Sequence, residues 1–192
     1  MAIKKIISAG HPALKKRNQR IIDFSLISLK NLIQNLTDTM HDADLIGIAA
    51  PQIGVNASVF ITEPRNTKSR KLGKTDKMRV YINPKIIAVS KKKNIIYEGC
   101  GSLSGIFGPV SRPTEIEIEA YDQRGKKFRL RCDGILARVI QHELDHLSGV
   151  EFIAKVADYR KIITAEHYRK NIKNSKLQKI NSLNKIIQLT VE

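Results

Sequence analysis

Apolar residues recur at three- and four-residue steps from Leu26 through Leu29, Leu32, Ile33, Leu36 and Met40, a spacing that lays one apolar stripe along an amphipathic helix. Ser25 stands where an N-cap belongs, and the pattern lapses near Asp44. Between about 57 and 130 the pattern shortens to β-branched runs: Ser58 to Thr62, Arg79 to Ile82, Ile86 to Val89, Glu115 to Tyr121 and Lys126 to Leu130. These predict strands of antiparallel sheet. Asp122-Gln123-Arg124-Gly125 supplies a turn, and Pro64 to Lys77 is polar and basic enough to form an exposed loop. Helical spacing returns at Asp133, with Gly149 positioned for a left-handed C-terminal cap and Ile135, Val139, His142 and His146 on the inward face. From about Tyr159 to Gln188, Ile162, Ile163, Ile172, Leu177, Ile180, Leu183 and Ile187 are spaced among Lys and Arg, which reads as a long basic helix. The pattern predicts an α+β fold: antiparallel sheets around a central helix, an N-terminal helix and a long basic C-terminal helix. It divides the chain into a domain over 1–158 and a basic helical extension over 159–192.

Composition narrows this further. With 192 residues, 42% of them hydrophobic, the chain can build one ordinary core. Lys and Arg number 34 against 18 Asp and Glu, a formal charge of +16. Such a surface favours phosphate-rich partners, and the tail offers a docking surface for RNA through counterion release. No run approaches the roughly 18 to 20 apolar residues of a membrane span, and the opening residues lack the apolar region of a signal peptide, so a cytoplasmic location without membrane contact is expected. Two cysteines, Cys100 and Cys132, exclude a disulfide scaffold and leave room for a ligand thiolate.

The most specific motif is His142-Glu143-Leu144-Asp145-His146. On a helix, positions four apart share one face, so both imidazoles can reach one cation while Glu143 points toward a water on it. The third ligand decides the chemistry. A metzincin protease would place a third His where Phe152 stands, and that reading fails. Glu166 has the spacing of a thermolysin-like ligand but not its setting. Cys100, flanked by Gly99 and Gly101, is the remaining candidate.

Three separated motifs occur in order: Gly47-Ile48-Ala49-Ala50-Pro51-Gln52, Glu98-Gly99-Cys100-Gly101-Ser102 and Gln141-His142-Glu143-Leu144-Asp145-His146, with His11-Pro12 before them and Asn83-Pro84 between. Together they resemble the peptide deformylase family, from the first helix to about Phe152. The resemblance implies a site of Cys100, His142 and His146 with water as fourth ligand. It implies hydrolysis of the N-formyl group from the initiator methionine of nascent polypeptides, a step of protein biosynthesis. In that reading the metal-held water is the nucleophile and Glu143 the general acid and base. Gln52 and the Gly101 N–H donate to the developing oxyanion. The peptide would add as a strand beside Ile46, Gly47 and Gly99, its methionine side chain in a pocket that includes Ile135 and Val139. The resemblance favours Fe(II) as the native ion, and the donor set also accepts Zn(II), Ni(II) or Co(II). A monomer working beside the ribosome through its basic C-terminal helix is expected.

Three positions depart from the family's usual pattern: Leu45 stands where Gly is common, Gly101 where Leu is common, and Phe107 where many members carry Arg, although Arg112 is kept. Were a left-handed backbone needed at 45, Leu would be strained. Hydrolysis with altered rate or peptide preference is the expectation. A low-activity relative that binds formyl-methionyl peptides or the ribosome is the alternative, and a zinc protease the more remote one.

Overall fold

The computed structural model describes residues 3–72 and 74–191. Its elements run α1 (Ile27–Asp42), β1 (Gly47–Ala49), β2 (Val59–Thr62), β3 (Arg79–Val89), β4 (Lys93–Cys100), β5 (Leu103–Pro113), β6 (Glu115–Tyr121), β7 (Lys127–Asp133), α2 (Gly134–Leu147), β8 (Ile163–Thr164), α3 (Ala165–His167), α4 (Lys176–Ser182) and β9 (Ile187–Val191), with short 3-10 turns between them. Every strand pairing is antiparallel. One sheet has the order β1-β2-β3-β6-β7-β9, the other β4-β5-β8.

Strand alternation splits the six-stranded sheet between two cores. Ile48, Val59, Ile61, Val80 and Ile82 face α1, where Leu29, Leu32, Ile33, Leu36 and Met40 meet them. Their neighbours Ala49, Phe60 and Tyr81, with Ile116, Ile118 and Leu130, face Leu136, Ala137 and Ile140 of α2. The predicted helical stripe is thus the one used, and truncating the fully buried Leu36 to Ala would cost about 2–5 kcal/mol. Helix α2 lies between the large sheet and the β4–β5 hairpin. Arg138 binds it to that hairpin, donating to Glu98 Oε1 and Val110 O at 2.9 Å each.

Four expectations change. Ser25 does not cap α1: its hydroxyl and N–H donate to Asp23 Oδ1, Leu26 takes the cap position, and that leucine is half exposed. The two runs Arg79–Ile82 and Ile86–Val89 are one strand, β3, bent at Asn83, whose φ of 51° accompanies a register shift against β6. Leu45 is not the strained residue. The left-handed turn before β1 falls on Asp44 (φ 57°), a residue type that tolerates it.

The fourth correction is the tail. Residues 159–191 do not form a long helix. Polar Asn174-Ser175 and Asn181-Ser182 interrupt the helical spacing, Ser175 instead capping α4 through the Gln178 N–H, and the segment divides into β8, α3, a π turn, α4 and β9. Its alternating end, Ile187 to Val191, pairs with β7 and extends the large sheet. Asn184 Oδ1 accepts the Leu136 N–H at 3.0 Å in the first turn of α2, where backbone donors otherwise lack partners. Asp133 Oδ1 in turn accepts the N–H groups of Lys185 and Ile186. Gly134, at φ 58°, lies so close to this segment that a Cβ would stand 2.2 Å from Leu183 O.

Candidate metal centre

The β4–β5 hairpin carries Cys100 at the end of β4, beside a register shift between Glu98 and Cys100. It lay outside the predicted strands, because Lys93–Pro113 mixes glycines and polar residues among its apolar ones. Helix α2 brings His142 and His146 opposite. One donor atom from each of Cys100, His142 and His146 lies within 4.8 Å of the others, and this is the one such cluster among the described residues. Cys100 Sγ stands 3.2 Å from His146 Nε2. A tetrahedral ion with ordinary bond lengths holds sulfur and nitrogen about 3.5 Å apart. Glu166, in the tail, is not part of the cluster.

A dense polar network orients these side chains. Glu98 Oε2 is 3.0 Å from His142 Nδ1, so the other ring nitrogen faces the thiol. Glu98 is itself held by Arg112 at 2.7 and 2.9 Å and by Arg138 at 2.9 Å. Burial alone would raise the Glu98 carboxyl, but Arg112 and His142 outweigh it and hold it well below the usual range. Arg112 also donates to Asp145 Oδ2 at 2.7 Å, so Asp145 belongs to the scaffold rather than the ligand set. Phe152 stacks on His142, ring centroids 6.2 Å apart.

Burial opposes a proton on His142, yet bonds to Cys100 and Glu98 reverse that and raise its pKa. Burial, with the charges of His142 and Arg112, brings His146 down to about 3. A cation would replace the proton shared within such a set.

Glu143 projects beside the cluster. Burial pushes its carboxyl up to about 7, and its Oε2 has no hydrogen-bond partner among the described residues. A buried, unpartnered carboxylate next to two imidazoles and a thiol fits a cation and a water held between them. Gln52, 2% exposed, accepts the Ala49 N–H on its Oε1 at 2.8 Å, which frees its amide nitrogen to point at Cys100 Sγ 3.5 Å away. It therefore both closes a turn and presents a donor to the site.

Of the five residues expected to line a substrate cleft, Ile46, Gly47, Ile135 and Val139 are brought together, and Gly99 lies apart from them. Ile46, Ile135 and Val139 form a small apolar cluster of their own. Gly47 lies against it so closely that a Cβ there would stand 2.4 Å from Val139 Cγ1 and 2.7 Å from Glu143 Oε1. Gly99 sits under Phe107, where a Cβ would be 2.7 Å from the ring, and Phe107 stacks face to face on Tyr168 of the tail at 3.9 Å. The sequence reading missed Leu72, which packs against the Ile46 cluster from a loop expected to be wholly exposed. It also missed Arg138, a charged residue on a helix face that periodicity assigns to the core. A lone leucine within Lys68–Lys77 was the available signal for the first.

Similarity to known proteins agrees with this geometry. Residues 3–161 match the family model described as "Polypeptide deformylase". A peptide deformylase of Natranaerobius thermophilus is 35% identical over 158 residues, covering 82% of this chain and 95% of that protein. Peptide deformylase 1 of Bacillus cereus is 38% identical over 159 residues, covering 83% and 96%. The crystal structure of a peptide deformylase from Legionella pneumophila superposes with a TM-score of 0.74 at 32% identity, over 83% of this chain and 89% of that one.

Proposed function

Since this chain belongs to the polypeptide deformylase family, we propose that Cys100, His142 and His146 hold a divalent cation in a hydrolase that removes the N-formyl group from the initiator methionine of nascent polypeptides. The observation that carries the reading is the convergence of three ligand-type side chains, from two separate elements, around the unpartnered carboxylate of Glu143. A cation there would supply a Lewis acid that lowers the pKa of a water molecule toward neutrality.

The chain's own residues do the rest. Glu143, raised to about 7 by burial, takes the proton of the attacking water and passes it to the departing amine. The Gln52 amide and the Gly101 N–H donate to the formyl oxygen as negative charge gathers on it. Glu98 keeps the His142 ring from turning. Backbone at Ile46, Gly47 and Gly99 receives the peptide as an added strand, and the apolar recess of Ile46, Ile135 and Val139 takes the methionine side chain.

The thiolate and two imidazoles accept Fe(II), Zn(II), Ni(II) or Co(II), and the family resemblance favours Fe(II) as the native ion. The catalytic unit is assigned to 1–158 and the extension to 159–192. The charge of +16 and the exposed Arg169, Lys170, Lys176, Lys179 and Lys185 support docking on the ribosome through side chains spread over short elements. No helix of the described residues is long and apolar enough to cross a membrane, and a cytoplasmic monomer fits this role.

Formate release from a formyl-Met peptide by anaerobically Fe(II)- or Ni(II)-loaded protein tests the reading. Turnover is expected from the native chain and a loss of at least about a hundredfold from Glu143→Gln. Cleavage of an unformylated internal peptide bond, with no formate released, would overturn it.

A further inference from the structure

The loop between β2 and β3 is polar and basic along nearly its whole length, yet Leu72 turns inward and packs on Ile46, Ile135 and Val139. These three residues stand apart from the two main cores. Ile135 and Val139 lie two turns and one turn before Glu143 on α2, and Ile46 precedes Gly47, which touches both Val139 and Glu143. The cluster therefore lies beside Glu143, and Leu72 joins it from the loop between β2 and β3.

That loop is tied down. Asp44 accepts the N–H groups of Lys68 and Ser69 on its two carboxylate oxygens at 2.9 and 2.8 Å. Thr67 and Arg70 exchange backbone hydrogen bonds at 2.9 and 3.3 Å, and the Leu72 N–H donates to Asn66 Oδ1 at 2.9 Å. Arg65 reaches back to Leu45 O at 3.1 Å, and the Asp76 N–H donates to Pro64 O at 2.8 Å. A loop closed on itself and anchored to the residues before β1 holds Leu72 at a set place against Ile46, Ile135 and Val139.

We propose that Leu72 is a specificity-determining residue: its side chain closes the apolar recess that receives the side chain of the formylated residue, and so sets the girth accepted there. This rests on the deformylase reading, in which that side chain is methionine's. On this proposal a long, unbranched, apolar chain is accepted between Leu72 and the α2 face and an aromatic ring is excluded.

The test uses the full, Ni(II)-loaded chain with formyl-Met, formyl-norvaline and formyl-Phe peptides of otherwise identical sequence. Leu72→Ala should raise kcat/KM for formyl-Phe relative to formyl-Met by about tenfold, the effect of a few methylenes in such a pocket. Leu72→Phe should shift preference the other way, toward formyl-norvaline over formyl-Met, by a similar factor. The same peptides are titrated against Glu143→Gln with and without each Leu72 change, which reads selectivity in binding alone. Turnover with ratios unmoved by both variants would overturn the proposal. Absent turnover, with binding preferences that still follow residue 72, would uphold it and bring down the deformylase reading instead.

Discussion

Leu45 Cδ1 lies 3.2 Å from the point where a Cβ on Gly101 would stand, and Ile6 Cδ1 lies 3.3 Å from it. Two departures from the family's usual pattern are thus one local arrangement. The side chain at 45 reaches into the space that a side chain at 101 would fill, and apolar cover over that side of the site is retained. Gly101→Leu should therefore destabilise by about 1–3 kcal/mol through overpacking, and Leu45→Ala in the same chain should recover much of that. A double-mutant cycle by thermal unfolding checks it, and strictly additive effects would break the link.

Glu98 orients His142 and is gripped by Arg112 and Arg138. Glu98→Gln keeps the shape but weakens the hold on the ring, so affinity for Zn(II), measured against a competing chelator, should fall about 10–100-fold. Arg138→Met removes one partner from a buried charge and should cost about 3–5 kcal/mol of stability.

Asp44 has a pH signature. Burial would raise its carboxyl, but the Ser69 hydroxyl and N–H and the Lys68 N–H outweigh it and lower it from 3.8 to about 2. A carboxyl lowered by folding stabilises the folded chain at pH above its unfolded value of 3.8, and that contribution is lost as the pH falls through 2. After allowance for partial exposure it amounts to roughly 1 kcal/mol. Asp44→Asn should flatten the stability profile between pH 4 and pH 2, with little change near neutrality in how stability varies with pH.

The two cysteines should separate by reactivity. Cys132 is fully buried, and burial pushes its thiol up to about 12, whereas Cys100 is partly exposed. Iodoacetamide at pH 8 should label one thiol per metal-free chain, Cys100, and metal loading should protect it. Labelling of Cys132 should require unfolding.

Residues with strong local patterns are legible in the sequence. The stripe from Leu29 to Met40, the alternation of Glu115–Tyr121 and the His142–His146 spacing each depend on a single element's period, and each appears where expected. The β4–β5 hairpin did not show itself, because its strands are set by pairing across the hairpin and by glycines that let Phe107 and the ligands approach. The tail misled for a related reason: its apolar residues fit a helical period, but Asn184 and Asp133 fasten it to α2 and its last residues gain a full ladder on β7. Leu72 depends on a loop path that no periodicity encodes.

Absorption of the Co(II)-loaded chain tests the metal centre most directly. One Co(II) per chain should give a near-ultraviolet band of thiolate-to-cobalt charge transfer, retained in Cys132→Ala and abolished in Cys100→Ala. A band that survives Cys100→Ala, or that disappears with Cys132→Ala, would contradict the assignment of Cys100 as a ligand.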